Sequence, residues 1–245
     1  MQINNYRVAF ALHWRFGLFP SAALSILIFL FIGARANAGV DLQSYLIADN
    51  FNQRFIASQS VEKGLIADSN FALTLFINAL KSEISNPFSN EGSPYSPFHT
   101  MTESLKKSYA SAIEKLATQK LEVLRGHLAG TQSELRDRLL IILGRLRDQS
   151  VKDSVASILL NNSDVYLRWE AIRALRSYKD TADIPIFWNY INDGDSLIEV
   201  QSPESKYEPD IVYPVRVEAA CALIEFGYKF KRTGKYYENY ELIEE

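Results

Sequence analysis

Downstream of an apolar beginning, the chain carries two histidines, His99 and His127, and a single cysteine, Cys221. A zinc site needs several nitrogen, sulfur or carboxylate ligands at characteristic short spacings. These histidines stand 28 residues apart, with no HExxH and no second cysteine, so no metal site is nominated. Cys221 lies in "EAACALIEF", an apolar setting that raises a thiol pKa and blunts nucleophilic attack. No G-x-S-x-G elbow, P-loop or G-x-G-x-x-G occurs. The stretch "NDGDS" fails as a calcium loop: with Gly194 at the sixth place, Ile191 and Val200 fall where oxygen ligands are required. The residue types thus predict no catalytic constellation, no metal and no cofactor. What stands out instead is arginine. "LRWEAIRALRSYKD", residues 167–180, holds Arg168, Arg173 and Arg176.

That stretch is a repeated unit. Shifted back by 32 residues it meets "LRDRLLIILGRLRD" at 135–148, and shifted forward by 48 it meets "VRVEAACALIEFGY" at 215–228. A weaker copy, "LKKSYASAIEKLAT", begins at Leu105. In each copy the apolar places recur at steps of three and four residues, which puts them on one helical face. Shorter helical candidates, "KLEVLRGHL", "VKDSVASILL" and "DIPIFWNYI", separate the copies, and Ser133, Ser163 or Asp164, and Asp210 are candidate helix starts. One helical hairpin of this size cannot bury its own apolar stripe, so stacked neighbours must bury it together. The expected fold is all-α: an α-solenoid of helical hairpins with an N-terminal helical cap.

These three stretches resemble the HEAT-like repeat family, in the short form seen in bilin-lyase-type and armadillo-like proteins, over residues 101–232. The resemblance specifies the fold and is nearly silent about function. It also implies that the matched arginines Arg136, Arg168 and Arg216 brace each repeat against acidic turn residues of the next, with Asp164 and Asp210 as candidate partners. Arg173 and Arg176 do not recur, since Ile141, Gly144, Cys221 and Ile224 hold their places, and are the better candidates for a surface with a purpose. With Arg138 and Trp169 they form the expected binding set on the concave side, because arginine and aromatic anchors dominate protein interfaces.

The ends and the interruptions complete the reading. Residues 1–38 have a positive beginning, an apolar core "LSILIFLFIGA" and small residues at Ala36 and Ala38, which reads as a signal peptide cleaved after Ala38. The length of the apolar run also allows an uncleaved anchor, and a membrane contact is expected only in that case. Cleavage moves the net charge from −3 to −6, because Arg7, Arg15 and Arg35 leave and no acid does. An acidic chain argues against nucleic-acid binding. With one cysteine no internal disulfide forms, which fits an exported protein of the periplasm, or a secreted one, held by packing. Residues 39–84 form an N-terminal helical segment, with Phe71, Leu73, Leu75, Phe76 and Leu80 expected inside. Residues 85–100, with three prolines and three aromatics, read as a loop. The insertion at 193–213 has room for a short "SLIEV" strand, and residues 233–245 form a C-terminal tail.

The function expected from all this is a noncatalytic scaffold that binds another protein in the periplasm or envelope. An immunity or inhibitor protein directed at an exported toxin or enzyme is an alternative of the same class. A lyase-like enzyme or chromophore-handling protein is the alternative of another class.

Overall fold

In a computed structural model, residues 42–64, 70–86, 97–195, 197–199, 210–233 and 239–243 are described. Residues 1–38, read as a signal peptide, and the expected cleavage point at Ala38 lie outside them. Ten α-helices carry these residues: α1 Leu42–Leu46, α2 Phe51–Glu62, α3 Asn70–Ser85, α4 Pro97–Ala117, α5 Leu121–Gly126, α6 Ser133–Arg145, α7 Lys152–Asn161, α8 Val165–Tyr178, α9 Ile184–Tyr190 and α10 Pro214–Glu225. The long helices α4, α6, α8 and α10 pack side by side in sequence, while α5 lies on α6, α7 on α6 and α8, and α9 on α10. The copies that begin at 135, 167 and 215 are therefore neighbours in space as well as repeats in sequence.

The apolar stripe explains why. Leu135, Leu139, Ile142 and Leu143 of α6 are buried, as are Leu167, Ala171, Ala174 and Leu175 of α8, and Val215, Ala219, Ala222 and Leu223 of α10. These are the same four places in each copy, at i, i+4, i+7 and i+8, so each helix offers one apolar stripe to its neighbours. Each large side chain so buried is worth about 1.5–3 kcal/mol. Gly144 lets α6 come close: a Cβ there would stand 2.9 Å from Val155 Cγ2 and 3.2 Å from Ala174 Cβ.

The turns repeat as well. Asp148 accepts a hydrogen bond from the Ser150 amide at 3.0 Å, and Asp180 accepts one from the Ala182 amide at 2.9 Å. Each of these aspartates also takes a cation from the preceding short helix, Arg125 for Asp148 and Lys152 for Asp180, both at 2.6 Å. Of the expected helix starts, Asp164 caps α8, accepting from the Tyr166 amide at 2.8 Å. Ser133 is instead the first residue of α6, after Gln132, and Asp210 lies in a strand while α10 starts four residues later at Pro214. Proline suits that first helical position because its missing N–H would have had no partner there.

The N-terminal segment is helical, with a break the sequence reading did not place. Helix α1 stops at Leu46, and Asn50 caps α2, its side chain accepting from the Asn52 amide at 2.9 Å. Leu73, Phe76 and Leu80 are fully buried between α3 and its neighbours, but Phe71 is 69% exposed, because it sits in the first turn of α3 on the outer side. Of the segment 85–100 read as a loop, residues 97–100 are already the start of α4, again with proline at the first position. Phe88 and Tyr95 of that segment lie outside the described residues.

Two short ribbons stand where the repeat is interrupted. Strands β1 (Leu197–Glu199) and β2 (Asp210–Val212) pair antiparallel within the 193–213 insertion. Strands β3 (Phe230–Thr233) and β4 (Asn239–Leu242) pair antiparallel after α10, so the boundary drawn at 232 falls inside a strand. Trp188 of α9 holds this ribbon, meeting Tyr228 edge-on at 5.3 Å and Phe230 at 5.6 Å.

Candidate functional site

On α8, Tyr166, Trp169, Arg173 and Arg176 are three or four residues apart, which aligns them along one side of the helix. Trp169 is half-buried, and two cations lie against its ring: Arg173 at 5.6 Å and the Lys107 ammonium of α4 at 4.7 Å. Lys107 also lies 4.6 Å from the Tyr166 ring. Burial lowers the pKa of Lys107, against the pull of Glu170 and Glu103, while Arg138 and Arg173 lower it further. The aromatic pair thus faces a lysine whose charge is supported by both ring faces and by Glu170 and Glu103.

From Trp169 outward the charges form a ladder across the long-helix row. Glu114 of α4 meets Arg145 of α6 at 2.8 Å, and Arg145 meets Glu170 of α8 at 3.0 Å. Glu170 also takes Arg173 at 3.1 Å. Arg173 and Arg176 then both reach Glu218 of α10, at 3.5 and 2.8 Å, and Arg176 continues to Glu225. Glu170 and Glu218 occupy the same repeat place, so each receives arginine from the helix before it. Burial raises the pKa of Glu114, which Arg145 offsets only in part. Burial likewise pushes the Cys221 thiol up, with Glu218 adding to it, so the cysteine is a poor nucleophile.

The expected binding set is only partly brought together. Trp169, Arg173 and Arg176 share this face. Arg138 does not join them as a free surface group: it is 5% exposed and bound to Glu103 at 3.1 Å and Glu134 at 2.9 Å. A cation buried this deeply needs carboxylates on both sides, and α4 and α6 supply one each.

The repeat arginines diverge in a way their matched places do not reveal. Arg168 is bound by Asp193 and Asp195, in the turn after α9. Arg216 donates to the Asp193 carbonyl at 2.8 Å and to Asn239 Oδ1 at 2.9 Å, and lies 4.2 Å from the Tyr213 ring. Asp193 therefore ties two repeats together through its side chain and its backbone. Asp164 is spent on the helix cap rather than on Arg168, which Asp193 and Asp195 hold, and the side chain of Asp210 lies outside what is described. Arg136 is exposed, because Asn161 stands in its turn at the place Asp193 holds in the next.

Among the described residues no group of three His, Cys, Asp or Glu side chains is placed to hold a metal ion. Among them, too, no helix is long and apolar enough to cross a membrane. The acids of "NDGDS" that fail as a calcium loop are the ones that hold Arg168. What the face offers is a preformed array of rings and charges.

A family model described as HEAT repeats matches residues 121–201, the span from α5 to β1. These hairpins are HEAT-like repeats. The HEAT-like row extends by packing to α4 on one side and α10 on the other. HEAT repeats generally serve as noncatalytic scaffolds and commonly mediate protein–protein interactions. A comparison with curated proteins finds no match to this chain.

The residues that sequence reasoning missed are Lys107, Arg145, Glu170 and Glu218. The one available signal was the match of Glu170 with Glu218 between copies. Their arginine partners sit at places that do not recur, so the pairs could be seen only once the helices were side by side.

Proposed function

We propose that this chain is an exported, noncatalytic HEAT-like scaffold that binds another protein in the periplasm or envelope through the Trp169 face of the long-helix row. The observation that carries the reading is the cluster of Trp169, Tyr166, Lys107 and Arg173, held in place by a ladder of ion pairs across four helices. Side chains fixed in this way lose little freedom when a partner docks, which lowers the cost of binding. Aromatic and arginine anchors of this kind supply most of the energy at protein interfaces. Export is supported by the charge pattern, apolar core and small residues of positions 1–38.

The test is site-specific photo-crosslinking in the native cell. A crosslinking amino acid at Ser177, on the face, is expected to give a discrete adduct that Trp169→Ala combined with Arg173→Gln removes. The same probe at Asp153, exposed on α7 away from the face, is expected to give none. Equal adducts from both positions, or an adduct indifferent to the double substitution, would count against the reading. N-terminal sequencing of the released protein is expected to begin at Gly39.

A further inference from the structure

The helices α6 and α8 end on residues in a left-handed conformation that side chains seldom adopt: Arg147 at φ 62° and Lys179 at φ 55°. The two hold the same repeat place. In the third copy that place is Gly227, at φ 97°, the residue type that takes this geometry without strain. The first two copies thus tolerate strain where the third does not, and in both the strained residue is a cation. Both cations are exposed, and neither meets a carboxylate among the described residues.

Their side chains converge. Arg147 and Lys179 line one open cleft of about 270 Å³ together with Arg173, Arg176, Glu218 and Glu225. The two glutamates are already engaged by Arg173 and Arg176. Four cations against two carboxylates leave a surplus of two positive charges, on a chain whose net charge is −3.

We propose that this cleft receives an extended acidic segment of a partner protein, one carboxylate meeting Arg147 and a second, two residues along on the same side of the chain, meeting Lys179. The spacing follows from the fold. Neighbouring helix axes lie about 8–10 Å apart, and an extended chain advances about 3.3 Å per residue with alternate side chains on one side, so same-side carboxylates two residues and about 6.6 Å apart come within reach of the two long, converging cations. Small phosphates favour helix N-termini, whereas this cleft lies at two C-termini, where the cations alone supply the attraction for an anion. A lipid surface is read by clusters of about four to eight cations, more than the two unpaired ones here. The proposal rests on the protein-binding reading above and names the chemistry of the partner.

Glycine substitutions make the test clean. Arg147→Gly and Lys179→Gly remove the cations and also relieve the left-handed strain, so a loss of binding with an unchanged or higher Tm is not misfolding. The probe is a fluorescent Gly-Ser decapeptide with two glutamates two residues apart, on one side of an extended chain, titrated against the full chain in a mild nonionic detergent. Fluorescence anisotropy is expected to show binding at least tenfold tighter than for the same peptide with glutamines, and tighter than with adjacent glutamates. Each glycine variant is expected to weaken binding about tenfold, as loss of a charge-assisted hydrogen bond does, and the double variant to abolish it. Equal binding of the glutamate and glutamine peptides, or full binding by the double variant, overturns the proposal. So does displacement of the peptide by inorganic phosphate or by anionic phospholipid vesicles at lower concentration than by unlabelled peptide. If the peptide result is negative while the Ser177 crosslink persists, the acidic segment is refuted and the scaffold reading stands.

Discussion

Glu103 of α4 lies 3.1 Å from both Lys106 and Arg138, and Arg138 reaches on to Glu134 at 2.9 Å. Burial by itself would raise the Glu103 carboxyl, but Arg138 and Lys106 hold it below its ordinary value of 4.5. A carboxylate whose folded pKa is depressed stabilises the fold above its unfolded pKa, and that contribution is lost as pH falls through the folded value. Glu103→Gln leaves Arg138 buried with one carboxylate instead of two, and is expected to cost about 3 kcal/mol at pH 7. The gap in Tm between wild type and variant should narrow as the pH is taken below the ordinary carboxylate range. Calorimetry at pH 7 and pH 3 checks this, and a gap that stays constant would refute it.

Among the elements, the close contact of α6 with α7 and α8 turns on Gly144. Replacing glycine by a better helix former inside a helix normally gains about 1 kcal/mol. Here a Cβ would stand 2.9 Å from Val155 Cγ2, and Val155 is itself buried and branched, so it has nowhere to retreat. Overpacking costs about 1–3 kcal/mol and so outweighs the gain. Gly144→Val, with two further methyl groups and a lower helix propensity, is expected to lose about 3 kcal/mol in a denaturant melt. The left-handed ends of α6 and α8 act in the opposite sense, each storing roughly 1 kcal/mol that a glycine would release.

For the molecule as a whole, the β3–β4 ribbon stands beside the α9–α10 hairpin. Trp188 joins the two through Tyr228 and Phe230, and Phe230 meets Tyr240 across the ribbon at 6.3 Å. Trp188→Ala removes the ring they share. It is expected to lower stability by about 2 kcal/mol, less than a fully buried tryptophan would cost, because Trp188 is only partly buried. It should also free the ribbon locally: limited trypsin digestion is expected to cut at Lys229, Lys231 or Arg232 before any site in α6 or α8. Simultaneous cleavage throughout would mean that the ribbon and the repeats unfold as one unit.

The sequence alone determined the helical repeat, because a stripe at steps of three and four residues must leave water against another apolar surface, and the matched copies supply one another with it. Leu135, Leu167 and Val215 could be aligned by eye, and all three are buried. It also pointed to Trp169, Arg173 and Arg176, whose places break the repeat. Tertiary structure alone decided who pairs with whom. Arg138 looked like Arg173 on paper, yet α4 brings Glu103 over it and buries it, while Arg173 stays part-exposed between Glu170 and Glu218. Asp193 could not be seen as the partner of Arg168 and Arg216, nor Trp188 as the hold on a C-terminal ribbon. The physical reason is range. Apolar burial is non-directional and follows from local periodicity, whereas an ion pair or a ring contact needs two atoms within a few ångströms, and here those atoms come from residues that lie more than twenty positions apart in the chain.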